Sequence, residues 1–99
     1  MSKYLDNLIA EGEHQNQDFK YCISDAKKIA RTLSAFANTG GGRLLVGIRD
    51  NGSVAGISSD EEYYMIESAA SLYCKPEIKI STEIRKKEAK SVFIITIEE

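Results

Sequence analysis

Cysteine and histidine are scarce in this chain: Cys22 and Cys74 are the two thiols and His14 is the one imidazole. Without a Cys-x-x-Cys spacing or a cluster of histidines, neither a zinc site nor a disulfide framework is expected, and both thiols read as reduced and mostly buried. No run approaches the roughly 18 apolar residues of a membrane-spanning helix. The opening MSKYLDNLIAEGEH lacks the apolar stretch of a signal peptide, which points to a cytoplasmic home. Repeats, linkers and low-complexity segments are missing as well. Thirteen basic and 15 acidic residues leave a net charge of −2, too little positive charge to coat nucleic acid in bulk.

What is present suits one soluble domain over residues 1–99, with 42% apolar and 28% charged residues. Tyr4, Leu5, Leu8 and Ile9 keep helical spacing and predict a short helix over 3–10, stopped at Gly12. DFKYC (18–22) reads as a strand with Phe19 opposite Asp18 and Lys20. Ser24 or Asp25 caps a helix whose stripe is Ala26, Ile29, Ala30, Leu33 and Ala37, ending near Asn38. RLLVGI (43–48) is a buried strand, and DNGS (50–53) turns it into a partner strand, VAGI (54–57). Ser59 and Glu62 form a capping box for a helix over 60–73, closed by Lys75-Pro76. Residues 78–84 alternate as a strand with one wet face, KKEAK turns, and SVFIITI (91–97) is buried. The expected architecture is α+β, with one mixed, roughly five-stranded sheet, two main helices against it and a short N-terminal helix.

Three carboxylates stand out by position: Glu13 and Asp18, five apart in GEHQNQDFK, and Asp50 after LLVGIR. Hard cations such as Mg²⁺ and Mn²⁺ take oxygen ligands, and one or two carboxylates with phosphate oxygens suffice. With 15 acids in 99 residues, the same spacing also fits a solvated rim. On a flat strand, i and i+5 point to opposite faces, so Glu13 and Asp18 meet only if HQNQ bends. Asp18 and Asp50 meet if their strands are antiparallel neighbours. In parallel neighbours, which a helical crossover favours, they lie about 17 Å apart, one strand length. His14, in a polar turn, reads as exposed, with a ligand or proton-shuttle role as the alternative.

NTGGG follows a helix instead of preceding one, so a helix C-cap explains it better than a phosphate cradle, and no ATP is expected. Gly47 inside a strand implies close approach of another backbone or side chain. Lys20, Lys27, Arg43, Lys86 and Lys87 are candidate phosphate contacts, against the plainer reading of solvated turns and strand ends. Lys28 and Arg31 share the helix of Lys27. Phe19, Phe36 and Phe93 read as core, and at least one of Tyr63 and Tyr64 packs inward, which leaves no row of stacking aromatics.

Taken in order, GEHQNQDFK resembles the G-E-S-x-x-x-E-F-K motif of the Schlafen-type Alba-like domain. LSAFANTGGGRLLVGIRDNGSVAGI resembles that family's A-F-A-N-T/S-x-G-G-x-L-L-I-G-V-D-D-x-G-x-V-x-G. The same domain occurs in bacterial proteins labelled divergent AAA ATPases. The resemblance implies a nucleic-acid partner, RNA or DNA, and three metal-binding catalytic acids at Glu13, Asp18 and Asp50, as in vertebrate Schlafens that cut tRNA and rRNA with a divalent metal. It equally implies a non-catalytic DNA-binding module of a transcriptional regulator, as in many microbial members, or a homodimer, since vertebrate Schlafens carry two copies per chain. Asp18 stands where the family has Glu, and Arg49 where it has the first acid of D-D. The family's usual extension beyond TIEE is missing, so the resemblance implies either a trimmed domain or a fragment of a longer chain.

Overall fold

A computed structural model of the chain describes residues 3–57, 61–74 and 78–98. The described elements are α1 (Lys3–Glu11), β1 (Gln17–Lys20), α2 (Ala26–Asn38), β2 (Gly42–Val46), α3 (Glu61–Leu72), β3 (Ile80–Lys87) and β4 (Lys90–Ile97). The strands form one mixed sheet in the order β1-β2-β4-β3, with β1 parallel to β2 and the other pairs antiparallel.

The period-2 alternation of β4 sets the layers. Val92 and Ile94 point to one face and Phe93, Ile95 and Ile97 to the other, and all five are buried. A strand covered on both faces needs this continuous apolar run. The stripe Ile29, Ala30, Leu33 and Phe36 of α2 joins Ile66, Ala69 and Ala70 of α3 over Leu44, Val46, Phe93 and Ile95. On the opposite face Leu5 and Leu8 of α1 pack with Phe19, Leu45, Val92 and Ile94. Burying each of these leucines contributes about 1.5–3 kcal/mol. A helix of nine residues is too short to stand alone, so that burial holds α1 in place. Asp25 caps α2 by accepting the N–H groups of Lys27 and Lys28 at 2.9 and 3.3 Å. Buried Glu62 accepts the Ile23 N–H at 2.9 Å and ties α3 to the loop before α2.

The expected five strands are four among the described residues. VAGI does not pair as a strand; Ile48 and Val54 make an isolated bridge. Gly47, at φ +103°, ends β2, and its carbonyl accepts the N–H groups of Ala55 and Gly56 at 2.8 and 2.9 Å. A Cβ on Gly47 would lie 3.1 Å from the Gly56 carbonyl carbon, so the close approach expected there is real and folds the segment over as a loop. The turn between β3 and β4 is two residues, Glu88 and Ala89, both at positive φ, which lets β3 extend to Lys87. β3 also starts later than expected, at Ile80, and Ile84 of its apolar alternation is 58% exposed. Ser59 of the expected capping box and the Lys75-Pro76 stop lie outside the described residues. No helix among the described residues is long and apolar enough to cross a membrane.

Gly42 makes the packing between β2, α2 and the first turn testable. A Cβ there would sit 2.7 Å from the Asn16 carbonyl oxygen and 2.7 Å from Cδ1 of Phe36. The oxygen cannot retreat, since it accepts the Arg43 N–H at 2.9 Å. Gly42→Ala is expected to lose about 1–3 kcal/mol, read as a lower urea midpoint at unchanged slope.

Candidate carboxylate site

The bend at HQNQ is a two-residue hairpin. His14 and Gln17 exchange backbone hydrogen bonds of 2.9 and 3.1 Å around Gln15 and Asn16. The next pair outward, Glu13 and Asp18, occupies the non-hydrogen-bonded position of an antiparallel ladder, where facing side chains come closest. Positions i and i+5 therefore share a face, which no flat strand permits. Asn16 pins the turn to the end of α2, its Nδ2 donating to the carbonyls of Thr39 and Gly41 at 3.0 and 2.7 Å.

The Glu13 carboxylate lies along the open edge of β1, where Oε2 accepts the Phe19 N–H at 3.3 Å. The facing Asp18 carboxyl, which a protonated Glu13 can hydrogen-bond, is the main reason the Glu13 pKa is raised above its ordinary 4.5. Partial desolvation and the negative charges of Asp18 and Asp50 add to it, and the Phe19 N–H opposes it. Asp18 has a counter-charge in Lys20, whose Nζ is 3.4 Å away on the same face of β1.

Asp50 reaches this pair as a charge instead of as a contact. The strands β1 and β2 are parallel, as the crossover implies, yet Asp50 still acts on Glu13. The reason is α1. Gly52 in the Asn51-Gly52 turn faces Ile9 (a Cβ there would be 3.5 Å from Ile9 Cγ2), and the Ile9 carbonyl accepts the Gly12 N–H at 3.1 Å. The hairpin tip and Glu13 thus leave the same end of the helix. Among the described residues no three His, Cys, Asp or Glu side chains are grouped to hold a metal ion. By donor chemistry the adjacent pair fits a Mg²⁺-type ion, which uses one or two carboxylates together with phosphate oxygens.

A residue the sequence did not single out supports the pair. Gln17, fully buried on the Phe19 face, donates Nε2 to the carbonyls of Leu8 and Gly12 at 2.6 and 2.9 Å. Its Oε1 accepts Nε of Arg43, its cross-strand partner, at 3.0 Å. Only its place in the alternation of β1, beside Phe19, marks it. Arg43 in turn donates to Glu11 Oε1 at 3.0 Å, which also receives Nε2–H of exposed His14 at 3.0 Å. The His14 tautomer follows because Nδ1 accepts the Asn16 N–H at 3.1 Å. Glu11 is held below its ordinary carboxylate value, first by the His14 hydrogen bond and then by Arg43.

The candidate phosphate contacts divide. Lys20 pairs with Asp18, Arg43 with Glu11 and Lys87 with Asp6. Lys27 and Lys86 are exposed, with no ion pair among the described residues. Phe19, Phe36 and Phe93 are buried, and Tyr63 packs toward Phe93 at 6.1 Å. In the glycine loop the Gly41 N–H is taken by the Phe36 carbonyl at 2.7 Å, at the carbonyl end of α2. A groove of about 430 Å³ runs between the Glu13–Asp18 hairpin and the α2 residues Thr32, Ala35, Phe36 and Thr39. Of the two thiols, Cys74 is buried as expected, whereas Cys22, just past the end of β1, is exposed.

The family described as Schlafen, AlbA_2 matches residues 13–99. No curated protein matches the sequence. A solution NMR structure of the N-terminal domain of a RecG-related protein from Nitrosomonas europaea is similar in fold, with a TM-score of 0.64 at 24% identity, covering 96% of this chain and 70% of that one.

The raised Glu13 pKa carries a definite sign. A carboxyl that holds its proton more tightly when folded adds stability below its unfolded value of about 4.5 and loses it as pH rises through the folded value. Glu13→Gln is therefore expected to gain stability relative to wild type as pH rises from 4 toward 7, measured by urea unfolding at stepped pH. Asp18→Asn is expected to return the Glu13 titration, followed by carboxyl-carbon NMR, toward its ordinary value.

Proposed function

The chain belongs to the Schlafen AlbA_2 family, and from that premise we propose a nucleic-acid-binding domain with a divalent-metal-dependent endoribonuclease site at Glu13, Asp18 and Asp50. The observation that carries this reading is the Glu13–Asp18 pair: two carboxylates face each other across the His14–Gln17 turn at an open sheet edge, and Asp18 raises the Glu13 pKa. Glu13 and Asp18 would hold Mg²⁺ or Mn²⁺, with Asp50 supplying further negative charge from the hairpin tip. Such an ion, when bound, polarises a phosphoryl oxygen and lowers the pKa of a bound water.

The chain's own residues prepare that site. Gln17 fixes the carbonyls of Leu8 and Gly12, and so sets where Glu13 leaves α1. Lys20 neutralises part of the charge on Asp18, which eases the approach of a phosphate. Because the Glu13 pKa is raised, a proton competes with a cation there, and cation loading strengthens as pH rises through the Glu13 titration. The test is cleavage of structured RNA with Mn²⁺ or Mg²⁺. Wild type is expected to cut, and Asp18→Asn and Asp50→Ala to lose about a hundredfold or more in rate. Equal cleavage by all three, or cleavage by none, overturns the catalytic reading.

A second reading is a non-catalytic DNA-binding module of a transcriptional regulator. It is favoured by the lack, among the described residues, of a three-side-chain group arranged for a metal. It predicts salt-sensitive binding that survives loss of the acids. The open edge of β3, with exposed Ile84, also supports self-pairing into a homodimer. Sedimentation is then expected to show a concentration-dependent dimer that Ile84→Lys abolishes; a monomer at every concentration removes this part.

A further inference from the structure

Neighbouring groups engage half of the twelve described cations, and Lys3, Lys79 and Lys86 are exposed singly on separate segments. Lys20, Arg43, Arg85 and Lys87 sit in ion pairs. Arg49 lies over the Tyr21 ring and donates to Ser53 and Val54, and Lys90 donates to the Val54 carbonyl. Helix α2 differs. Lys27, Lys28 and Arg31 are exposed on it, and none has a side-chain partner among the described residues.

Their positions on the helix connect two grooves. Lys28, Thr32, Ala35 and Thr39 follow i, i+4, i+7 and i+11, one stripe along α2, and three of these four line the groove facing Glu13 and Asp18. Lys27 and Arg31, one turn apart, line a second open groove of about 580 Å³ with Ser34, Ala35 and Tyr73. The two grooves meet at Ala35. Tyr73 is 51% exposed and lines the second groove, whereas the similarly exposed Tyr21 and Tyr4 carry the guanidinium groups of Arg49 and Arg85 over their rings.

We infer that a single-stranded nucleic acid crosses this face of α2, its phosphates on Lys27, Lys28 and Arg31, one base on Tyr73, and a neighbouring phosphate delivered to Glu13 and Asp18. This path rests on the nucleic-acid reading above. The match is one of charge and shape: three unneutralised cations on a chain of net negative charge form a local track for a polyanion, and an exposed ring stacks on a base only where that base is unpaired. At 1.5 Å rise per residue, Lys28 and Ala35 lie about 10 Å apart along the axis, so the cations are within a few nucleotides of the carboxylates.

The experiment is fluorescence-anisotropy binding of a labelled single-stranded oligoribonucleotide and its DNA counterpart across a salt series. The full chain is compared with the triple variant Lys27→Ala/Lys28→Ala/Arg31→Ala, with Tyr73→Ala, Tyr73→Phe and Lys86→Ala, each checked for helix content by circular dichroism. Each phosphate contact to a single strand contributes about −0.7 to the slope of log K against log salt, so the triple variant is expected to bind with a slope shallower by about 2. Tyr73→Ala is expected to weaken binding about tenfold while Tyr73→Phe retains it. Lys86→Ala removes the rival candidate contact on β3, which the α2 path leaves unused, so affinity and slope are expected to stay unchanged. If wild type binds but the triple variant keeps its affinity and slope, or if Lys86→Ala carries the loss, the path is overturned and the nucleic-acid reading stands. If unlabelled duplex competes as well as single strand, the single-stranded assignment is overturned. If wild type binds neither oligonucleotide even at low salt, both fall.

Discussion

The buried amide of Gln17 is the constraint on which the candidate site depends. It joins three elements that burial alone would leave free to slide: the end of α1 through the carbonyls of Leu8 and Gly12, β1 through its own backbone, and β2 through Arg43. The last carbonyls of a helix lack intrahelical partners, and leaving such a group buried and unpaired costs about 1–3 kcal/mol. A side chain with two donors and an acceptor settles the end of α1 and orients Arg43 in a single step. It also sits between the two residues that matter chemically, since Gly12 precedes Glu13 and Gln17 precedes Asp18. The hairpin brings the two acids onto one face, and Gln17 anchors that hairpin from inside the core.

Electrostatics explains how an acidic pair can coexist with a polyanionic partner. Two adjacent carboxylates repel, and the rise in the Glu13 pKa records this repulsion together with the hydrogen bond that a protonated Glu13 can make. A proton is one way to offset the charge, Lys20 is another, and a divalent cation is the third. The surface cations near the pair are held by Glu11 and Asp18, so they cannot act as a free phosphate track. On α2, Lys27 and Arg31 are unneutralised and line the adjoining groove, which meets this one at Ala35.

The layers were legible because the sequence obeys its periodicities. The α2 stripe, the continuous apolar run of β4 and the placement of Phe19 opposite Asp18 needed no tertiary information. The boundary errors share one cause: backbone conformations at positive φ. Gly47 broke the expected hairpin into a loop, and Glu88 with Ala89 tightened an expected long turn. Neither Glu nor Ala signals such a turn, so the pairing of β3 with β4 imposes it. At the site, the carboxylate pair was conditional on a bend that polar composition permitted without requiring. Gln17 was not legible, because a glutamine beside an acid looks the same whether it is solvated or fully buried.

The two departures from the family motif act differently. Arg49, where the motif carries an acid, turns away from the carboxylates. Its guanidinium covers the Tyr21 ring at 5.6 Å and donates to Ser53 and the Val54 carbonyl, bracing the hairpin that carries Asp50. The substitution therefore removes one negative charge from that segment and adds a brace, without placing a cation against Glu13 or Asp18. Asp18 is the more consequential change. Its shorter side chain keeps the carboxyl close to β1, where Lys20 can meet it at 3.4 Å and Glu13 can reach across the hairpin to it. A longer side chain would carry the carboxylate outward, toward the α2 wall of the groove. With Asp at this position, the negative charge is concentrated at the sheet edge, and the facing wall of the groove, Thr32, Ala35, Phe36 and Thr39, is uncharged.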